Sequence, residues 1–168
     1  MIYFCYFLLG LLIIRLLVAS INYLSFAYLP NVTSLTSTTK VSILIPARNE
    51  EENIGILLAQ LSTFENSIFE IIVYNDHSTD NTESIIKNWA TLKPIIKLIN
   101  GQQPPTGWLG KNNACHQLAN AATGDILLFL DADVHVKKDL IKRSISYLQE
   151  CDLHLLSIFP KQLAKSFG

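Results

Sequence analysis

Two aspartates, Asp131 and Asp133, stand two residues apart at the end of an uninterrupted apolar run, ILLFL at residues 126–130. Such a run without polar alternation is typical of a strand buried on both faces of a parallel sheet. Residues i and i+2 of an extended segment face the same side, so the two carboxylates can share one hard divalent cation. The competing interpretation is that one aspartate caps the next helix and the other is a loop residue.

The segments around this run alternate between strand and helix patterns. Apolar runs predict strands at residues 41–45, 69–74, 95–99 and 126–130, and a last strand-like run at 153–159. The first helix is predicted to be capped by Asn49 with three glutamates in its first turn, and the second by Ser78 or Asp80. Two further helices are predicted at 111–122 and 138–149. Alternating units of this kind indicate an α/β fold, a mostly parallel sheet flanked by helices on both faces.

Right-handed crossovers bring the ends of the first, second and fourth strands to one edge of such a sheet. Loops are polar in general, which explains each polar strand end singly but not why so many carboxylates gather there. We therefore expect a ligand site at this edge. The polar residues that converge there are Arg48, Glu50, Asp76, Lys111, Asp131 and Asp133.

This set of side chains suits a diphosphate held through a divalent metal that acts as a Lewis acid. Asp76 either accepts hydrogen bonds from a nucleobase or ribose, or it forms an Asx-turn or a helix cap. Lys111 either reaches a phosphate or is a solvated lysine. His135, two residues after Asp133, is either a metal neighbour, which we favour, or a surface histidine. P-loop, dinucleotide-binding and serine-hydrolase motifs are missing from the sequence.

The N-terminal segment of the chain is strongly apolar. Between residues 2 and 29 the only formally charged residue is Arg15. We predict a membrane helix at residues 1–30, since about twenty apolar residues suffice to cross a bilayer. A signal peptide fits less well because no basic residue precedes the run, and Arg15 leaves an interfacial helix as an alternative. Basic residues are absent before the apolar segment and begin after it with Lys40, which predicts a single-pass protein of the cell membrane with a cytoplasmic C-terminal domain.

Three further features of the sequence concern a linker, the net charge and the cysteines. Residues 31–39, rich in Ser and Thr, are predicted to be a linker. The formal net charge of −1 gives no indication of nucleic-acid binding. Cys5, Cys115 and Cys151 have no C-x-x-C spacing, so neither a disulfide framework nor a zinc site is indicated.

Four segments together resemble the family 2 glycosyltransferases, inverting enzymes with the Rossmann-like GT-A fold. They are VSILIPARNE (41–50), NDHSTDNT (75–82), GKNNA (110–114) and DAD (131–133). The resemblance implies that residues 40–168 are the nucleotide-sugar-binding half of such a domain. Asn75 and His77 depart from it, since aspartate and glycine are usual at those positions.

The resemblance also implies roles for single residues. The first two segments would contact the nucleoside through Pro46, Arg48, Glu50 and Asp76. Asp131 and Asp133 would bind Mn²⁺ or Mg²⁺ together with the diphosphate of the donor, for which a UDP-sugar is favoured. His135 falls where some relatives have another residue beside the metal.

The N-terminal apolar segment and GWLGK at residues 107–111 together resemble the subgroup that glycosylates polyisoprenoid-derived lipids, such as carotenoid acids, or acts in hopanoid biosynthesis. That resemblance implies a hexosyl transfer to a lipid-like acceptor. An inverting transfer needs a general base on the acceptor hydroxyl, and no residue here matches it. The chain is therefore interpreted as the N-terminal portion of a longer enzyme or as a donor-binding module without turnover. A receiver-like Mg²⁺-binding domain and a nucleotidyltransferase are the competing classes.

Overall fold

The computed structural model describes residues 2–24, 39–64, 68–137 and 139–159. The chain divides into two compact units, residues 1–31 and 32–168. The first contains helix α1, Ile2–Leu24, whose 23 residues are mostly apolar and include one formally charged residue, Arg15. At 1.5 Å per residue α1 is about 35 Å long, enough to cross the hydrocarbon core of a bilayer. It is the one helix among the described residues with the length and hydropathy for a span.

The second unit is built on a four-stranded sheet in which all neighbouring strands are parallel, in the order β3-β2-β1-β4. The ends of β2, β1 and β4 therefore lie side by side, as the sequence predicts. The strands are β1 (Val41–Ala47), β2 (Glu70–Asn75), β3 (Ile96–Asn100) and β4 (Ile126–Phe129), and the helices are α2 (Ile54–Ser62), α3 (Thr82–Leu92), α4 (Gly110–Ala121) and α5 (Leu140–Glu150).

Helices cover both faces of this sheet. On one face, alternate residues of β1 such as Ile43 and Ile45 pack in a core that includes Leu58 of α2, Ile86 of α3 and Ile141 of α5. On the other face Leu44, Ile72 and Tyr74 pack against Ala114 and Leu118 of α4. The predicted α/β fold with a parallel sheet between helices is confirmed.

The first helix of the sheet unit begins later than the sequence predicts. Asn49 is not its cap, because this residue has a φ of 55° and its side chain accepts a hydrogen bond from the Thr79 N–H at 2.9 Å. Glu51 likewise accepts from the Asn81 N–H at 3.0 Å. These polar groups bind the loop after β2 instead, and α2 starts at Ile54. In α3 the cap residue is Asn81 rather than Ser78 or Asp80, and it makes no side-chain cap hydrogen bond. Asp80, one residue earlier, accepts from the Thr82 N–H at the helix start at 3.0 Å.

Two predictions about the C-terminal strands are wrong. Strand β4 is predicted to be buried on both faces, but only the face with Ile126 and Leu128 packs against the core. Leu127 and Phe129 on the other face are 40% and 44% exposed, because α4 packs against β1 and β2. The segment 153–159 pairs with no strand of the described sheet, and Leu155 and Phe159 are exposed.

The end of the sheet where the strands begin, opposite the predicted site, contains a buried carboxylate. Glu70, 2% exposed, accepts hydrogen bonds from the Ser42 hydroxyl at 2.7 Å and from the N–H and hydroxyl of Thr123 at 2.7 and 2.9 Å. Its second oxygen accepts from Lys97 Nζ at 2.7 Å. Burial raises the pKa of Glu70, but these hydrogen bonds outweigh it and lower the pKa to about 2. Glu70 thus joins β1, β2, β3 and the turn before β4.

Candidate active site

A cavity of about 410 Å³ opens where β1, β2 and β4 end. Seven of the eight residues predicted for the site line it, namely Pro46, Arg48, Glu50, Asp76, Lys111, Asp131 and Asp133. Ala47, Gly110, Ala114 and Ala132 complete the lining, and their small side chains leave the space open. Asp76 and the Asp131/Asp133 pair therefore face the same cavity although they belong to different strands.

Asp76 lies directly after β2, with its backbone N–H donating to the Ala47 carbonyl at 2.8 Å. Its carboxylate is largely buried and lies beside the first residue of α4. A Cβ added to Gly110 would be only 2.7 Å from Asp76 Oδ2. The carboxylate can therefore approach the N-terminal end of α4, where the helix dipole favours negative charge, only because residue 110 has no side chain. Sequence reasoning missed this contact, for which the pair Gly110-Lys111 at a helix start is the one available signal.

Arg48 and Glu50 flank Asp76 on the loop after β1. Arg48 Nη1 is 3.8 Å from Asp76 Oδ2, and the Arg48 side chain is 65% exposed. Glu50 Oε2 accepts a hydrogen bond from the Asn53 amide at 2.9 Å, while the Glu50 N–H donates to Thr82 Oγ1 at 2.8 Å. This last contact ties the β1–α2 loop to the start of α3 and so holds the loop beside Asp76.

Asp131 and Asp133 follow β4 and are exposed to the cavity. Lys111, in the first turn of α4, donates from Nζ to Asp131 Oδ1 at 2.7 Å. This hydrogen bond raises the pKa of Lys111, against a smaller lowering by burial. The ammonium stays protonated at neutral pH, so the cavity contains a cation held on one of the two carboxylates that follow β4.

The residues present fit a divalent cation that is bound together with an anionic ligand. Asp131 and Asp133 offer carboxylate oxygens, the donors that hard cations prefer, and the lysine on Asp131 marks that oxygen as a cation position. Among the described residues no three His, Cys, Asp or Glu side chains gather closely enough to hold a metal alone. Diphosphate oxygens and water would supply the remaining ligands, as is usual for Mg²⁺.

His135 lies outside the lining of the cavity. Its Nδ1 is 3.3 Å from Nε2 of Gln60, whose Oε1 accepts from the Val136 N–H at 3.0 Å. Gln60 of α2 thus fixes the segment that follows Asp133, a contact that no sequence signal indicated. The role of His135 beside a metal stays a prediction.

Asn75 and His77, the two departures from the family pattern, also lie outside the main cavity. The Asn75 amide donates to Asn100 Oδ1 at 3.1 Å and accepts from the Ser78 N–H at 3.2 Å, and so points toward β3. His77 has a φ of 54°, which explains why glycine is usual at this position. Together they line a second, polar cavity of about 360 Å³ with Ser78, Glu83, Asn100 and Gly101.

Solved structures place the fold among the glycosyltransferases. The mannosyltransferase PcManGT from Pyrobaculum calidifontis, solved with GDP-Man and Mn²⁺, aligns over 76% of this chain and 37% of its own, with a TM-score of 0.60 and 23% identity. S. aureus TarS 1-349 in complex with UDP-GlcNAc aligns over 66% of this chain and 31% of its own, with a TM-score of 0.52 and 27% identity. The predicted GT-A-like fold is confirmed.

The sequence comparisons assign the family. The sequence model of the glycosyl transferase family 2 matches residues 42–162, so this chain belongs to the family 2 glycosyltransferases. It is also 35% identical over 130 residues to the 4,4'-diaponeurosporenoate glycosyltransferase of Staphylococcus aureus (strain USA300). That alignment covers 76% of this chain and 33% of the relative, so the chain spans about a third of the length of the curated relative it matches.

Proposed function

We propose that this chain is the donor-binding part of a membrane-attached, inverting hexosyltransferase. It binds a nucleoside diphosphate sugar through a divalent cation, Mn²⁺ or Mg²⁺, and the sugar passes to a lipid-like acceptor. The observation that carries the proposal is the single cavity lined by Asp76, Lys111, Asp131 and Asp133. These residues come from the ends of two strands, β2 and β4, and from the first turn of α4, and their types match the base or ribose, the phosphate and the cation of one ligand.

Each residue of the cavity has a task in binding the donor. Asp76, largely buried beside the start of α4, accepts hydrogen bonds from the base or ribose, and Pro46, Arg48 and Glu50 complete the nucleoside side. Lys111 meets a phosphate as a point charge. Asp131 and Asp133 hold the cation, and His135 stands next to them in the chain. When bound, the cation neutralises the diphosphate as it leaves the sugar.

A UDP-sugar is the donor we favour. TarS, at 27% identity, was solved with UDP-GlcNAc, which supports a uracil nucleotide more directly than the likeness to PcManGT at 23% identity. The carboxylate of Asp76 accepts hydrogen bonds only, so it suits a base that presents an N–H. Uracil presents such a group at N3 and guanine presents one at N1, so the preference for uracil rests on the likeness to TarS.

The acceptor and the location in the cell are proposed from the first unit and from the curated relative. Helix α1 is long and apolar enough to span a membrane, and the relative's name gives 4,4'-diaponeurosporenoate as its substrate. We place residues 1–30 in the cell membrane as a single span and residues 40–168 in the cytoplasm. The predicted linker at residues 31–39 lies outside the described residues except for Thr39. A lipid-like acceptor would then lie in the same membrane as the enzyme.

Calorimetry on the full chain in detergent micelles tests donor binding. UDP is expected to bind in the presence of Mn²⁺ or Mg²⁺, and EDTA is expected to abolish measurable binding, because the carboxylates repel a diphosphate without a cation between them. Equal UDP affinity in EDTA would contradict the proposal. ADP in place of UDP tests the base, and equal affinity for both would contradict the assignment of uracil.

Replacing Gly110 by alanine is expected to lower the affinity for UDP by about tenfold, the equivalent of roughly one hydrogen bond to a charged group. The new Cβ would be 2.7 Å from Asp76 Oδ2, so the carboxylate must move away from its place at the cavity. The matched control is Gly55→Ala in α2, where the added Cβ meets only Ile85 at 3.6 Å. Calorimetry should show unchanged UDP affinity for the control. Unchanged affinity in Gly110→Ala would mean that the position of Asp76 does not matter.

A further inference from the structure

Lys111 forms an ion pair with Asp131, the carboxylate that the proposed function assigns to the metal. Lys111 Nζ lies 2.7 Å from Asp131 Oδ1, and both side chains are more than half exposed, at 67% and 56%. The backbone of Lys111 is fixed, because Ala114 and Leu118 of the same helix are buried against the sheet. Only the flexible side chain of Lys111 is free to leave Asp131.

We propose that Lys111 is an internal counter-ion that competes with the divalent cation for Asp131 and is released to the diphosphate of the donor. This inference rests on the proposed function and deepens it. Without donor, the ammonium neutralises Asp131 and disfavours metal binding. With donor, the diphosphate accepts the ammonium, and Asp131 becomes available to the cation. Metal and donor then bind cooperatively, each raising the affinity for the other.

The charges in the cavity support this exchange. An ammonium and a divalent cation on one carboxylate repel each other, so each weakens the binding of the other to that carboxylate. A diphosphate brings negative charge to the same cavity and offers the lysine a second partner. The four-carbon side chain of Lys111 is long and exposed, so the ammonium can move without any change in α4. A lysine that only contacted phosphate would instead leave metal binding in the absence of nucleotide unaffected.

The variant Lys111→Met tests the exchange, with free Mn²⁺ measured by electron paramagnetic resonance during titration of the full chain in detergent micelles. Without nucleotide, the variant is expected to bind Mn²⁺ about two- to fivefold more tightly than wild type, the range that loss of one exposed competing ion pair allows. The gain in Mn²⁺ affinity on adding UDP should shrink by a similar factor. Lys111→Arg keeps the charge and should retain the weak Mn²⁺ binding of the wild type.

Lys87→Met is the matched control, because Lys87 also forms an exposed ion pair, with Glu83 at 2.6 Å on α3, but does not line the cavity. Its Mn²⁺ affinity should equal that of the wild type. Equal Mn²⁺ affinity in Lys111→Met and wild type without nucleotide would overturn the inference while leaving the proposed function intact. If wild type bound no Mn²⁺ even with saturating UDP, the proposed function would fail and the inference with it.

Discussion

Replacing Asp131 by asparagine is expected to lower the Mn²⁺-dependent affinity for UDP by at least about 100-fold. Loss of a residue that only orients a metal ligand already costs about 10- to 100-fold in metal affinity, and loss of a ligand itself should cost at least the upper value. Asparagine keeps the size of the side chain but removes the charge that attracts the cation. Lys111 also loses the partner that now lies at 2.7 Å. Calorimetry with UDP in excess Mn²⁺ measures the loss, and Asp133→Asn should behave in the same way.

Asp125→Asn is the matched control for this substitution. Asp125 precedes β4 at its opposite end, is exposed, and accepts a hydrogen bond from the Lys40 N–H at 2.9 Å. The same chemical change at this end of the strand should leave UDP affinity unchanged. If Asp131→Asn and Asp133→Asn both bound UDP as wild type does in Mn²⁺, the carboxylate pair would not be the metal site.

Replacing Glu70 by glutamine is expected to cost about 3 kcal/mol of stability at neutral pH, the equivalent of lowering a pKa from its ordinary value of 4.5 to about 2. The buried charge of Glu70 is stabilised by Lys97, Thr123 and Ser42. Glutamine removes that charge and leaves Lys97 without its partner. Urea denaturation of the full chain in detergent micelles measures the difference in the free energy of unfolding.

The pH dependence of this difference follows from the sign of the shift. Because the pKa of Glu70 is lower in the folded chain, its contribution is present in full above about pH 4.5 and is lost as the pH falls toward about 2. Wild type and Glu70→Gln should therefore become similar in stability at acid pH. Glu83→Gln is the control, since Glu83 pairs with Lys87 on the surface and should contribute much less. A difference that stayed constant with pH would contradict the assigned role of the Glu70 charge.

The sheet, and the strand ends that meet at the cavity, could be predicted from the sequence because buried parallel strands leave a strong local pattern. The apolar runs at residues 41–45 and 126–130 correctly indicate β1 and β4. Because crossovers in such sheets have one hand, the ends of β1, β2 and β4 had to meet, and the structure has them on one cavity. The seven predicted residues that line the cavity could be identified from the sequence for the same reason.

The features that were missed depend on contacts between distant segments. Asn49 looks like a helix cap in the sequence, but its side chain binds Thr79, thirty residues away. The apolar run of β4 does not show whether both faces of the strand are covered, since that depends on where α4 packs. Nothing in the sequence around Glu70 distinguishes it from an exposed glutamate. Only the fold brings Lys97 and Thr123 to it.

The central claim is that Asp131 and Asp133 would hold a divalent cation together with a diphosphate, in the same cavity in which Asp76 would contact the nucleoside. Anomalous diffraction from crystals grown with Mn²⁺ and UDP tests it most directly. We expect the manganese peak within direct bonding distance of both carboxylates, with the uracil next to Asp76 and Lys111 turned to the diphosphate. A manganese peak away from Asp131 and Asp133, or UDP bound outside this cavity, would contradict the account.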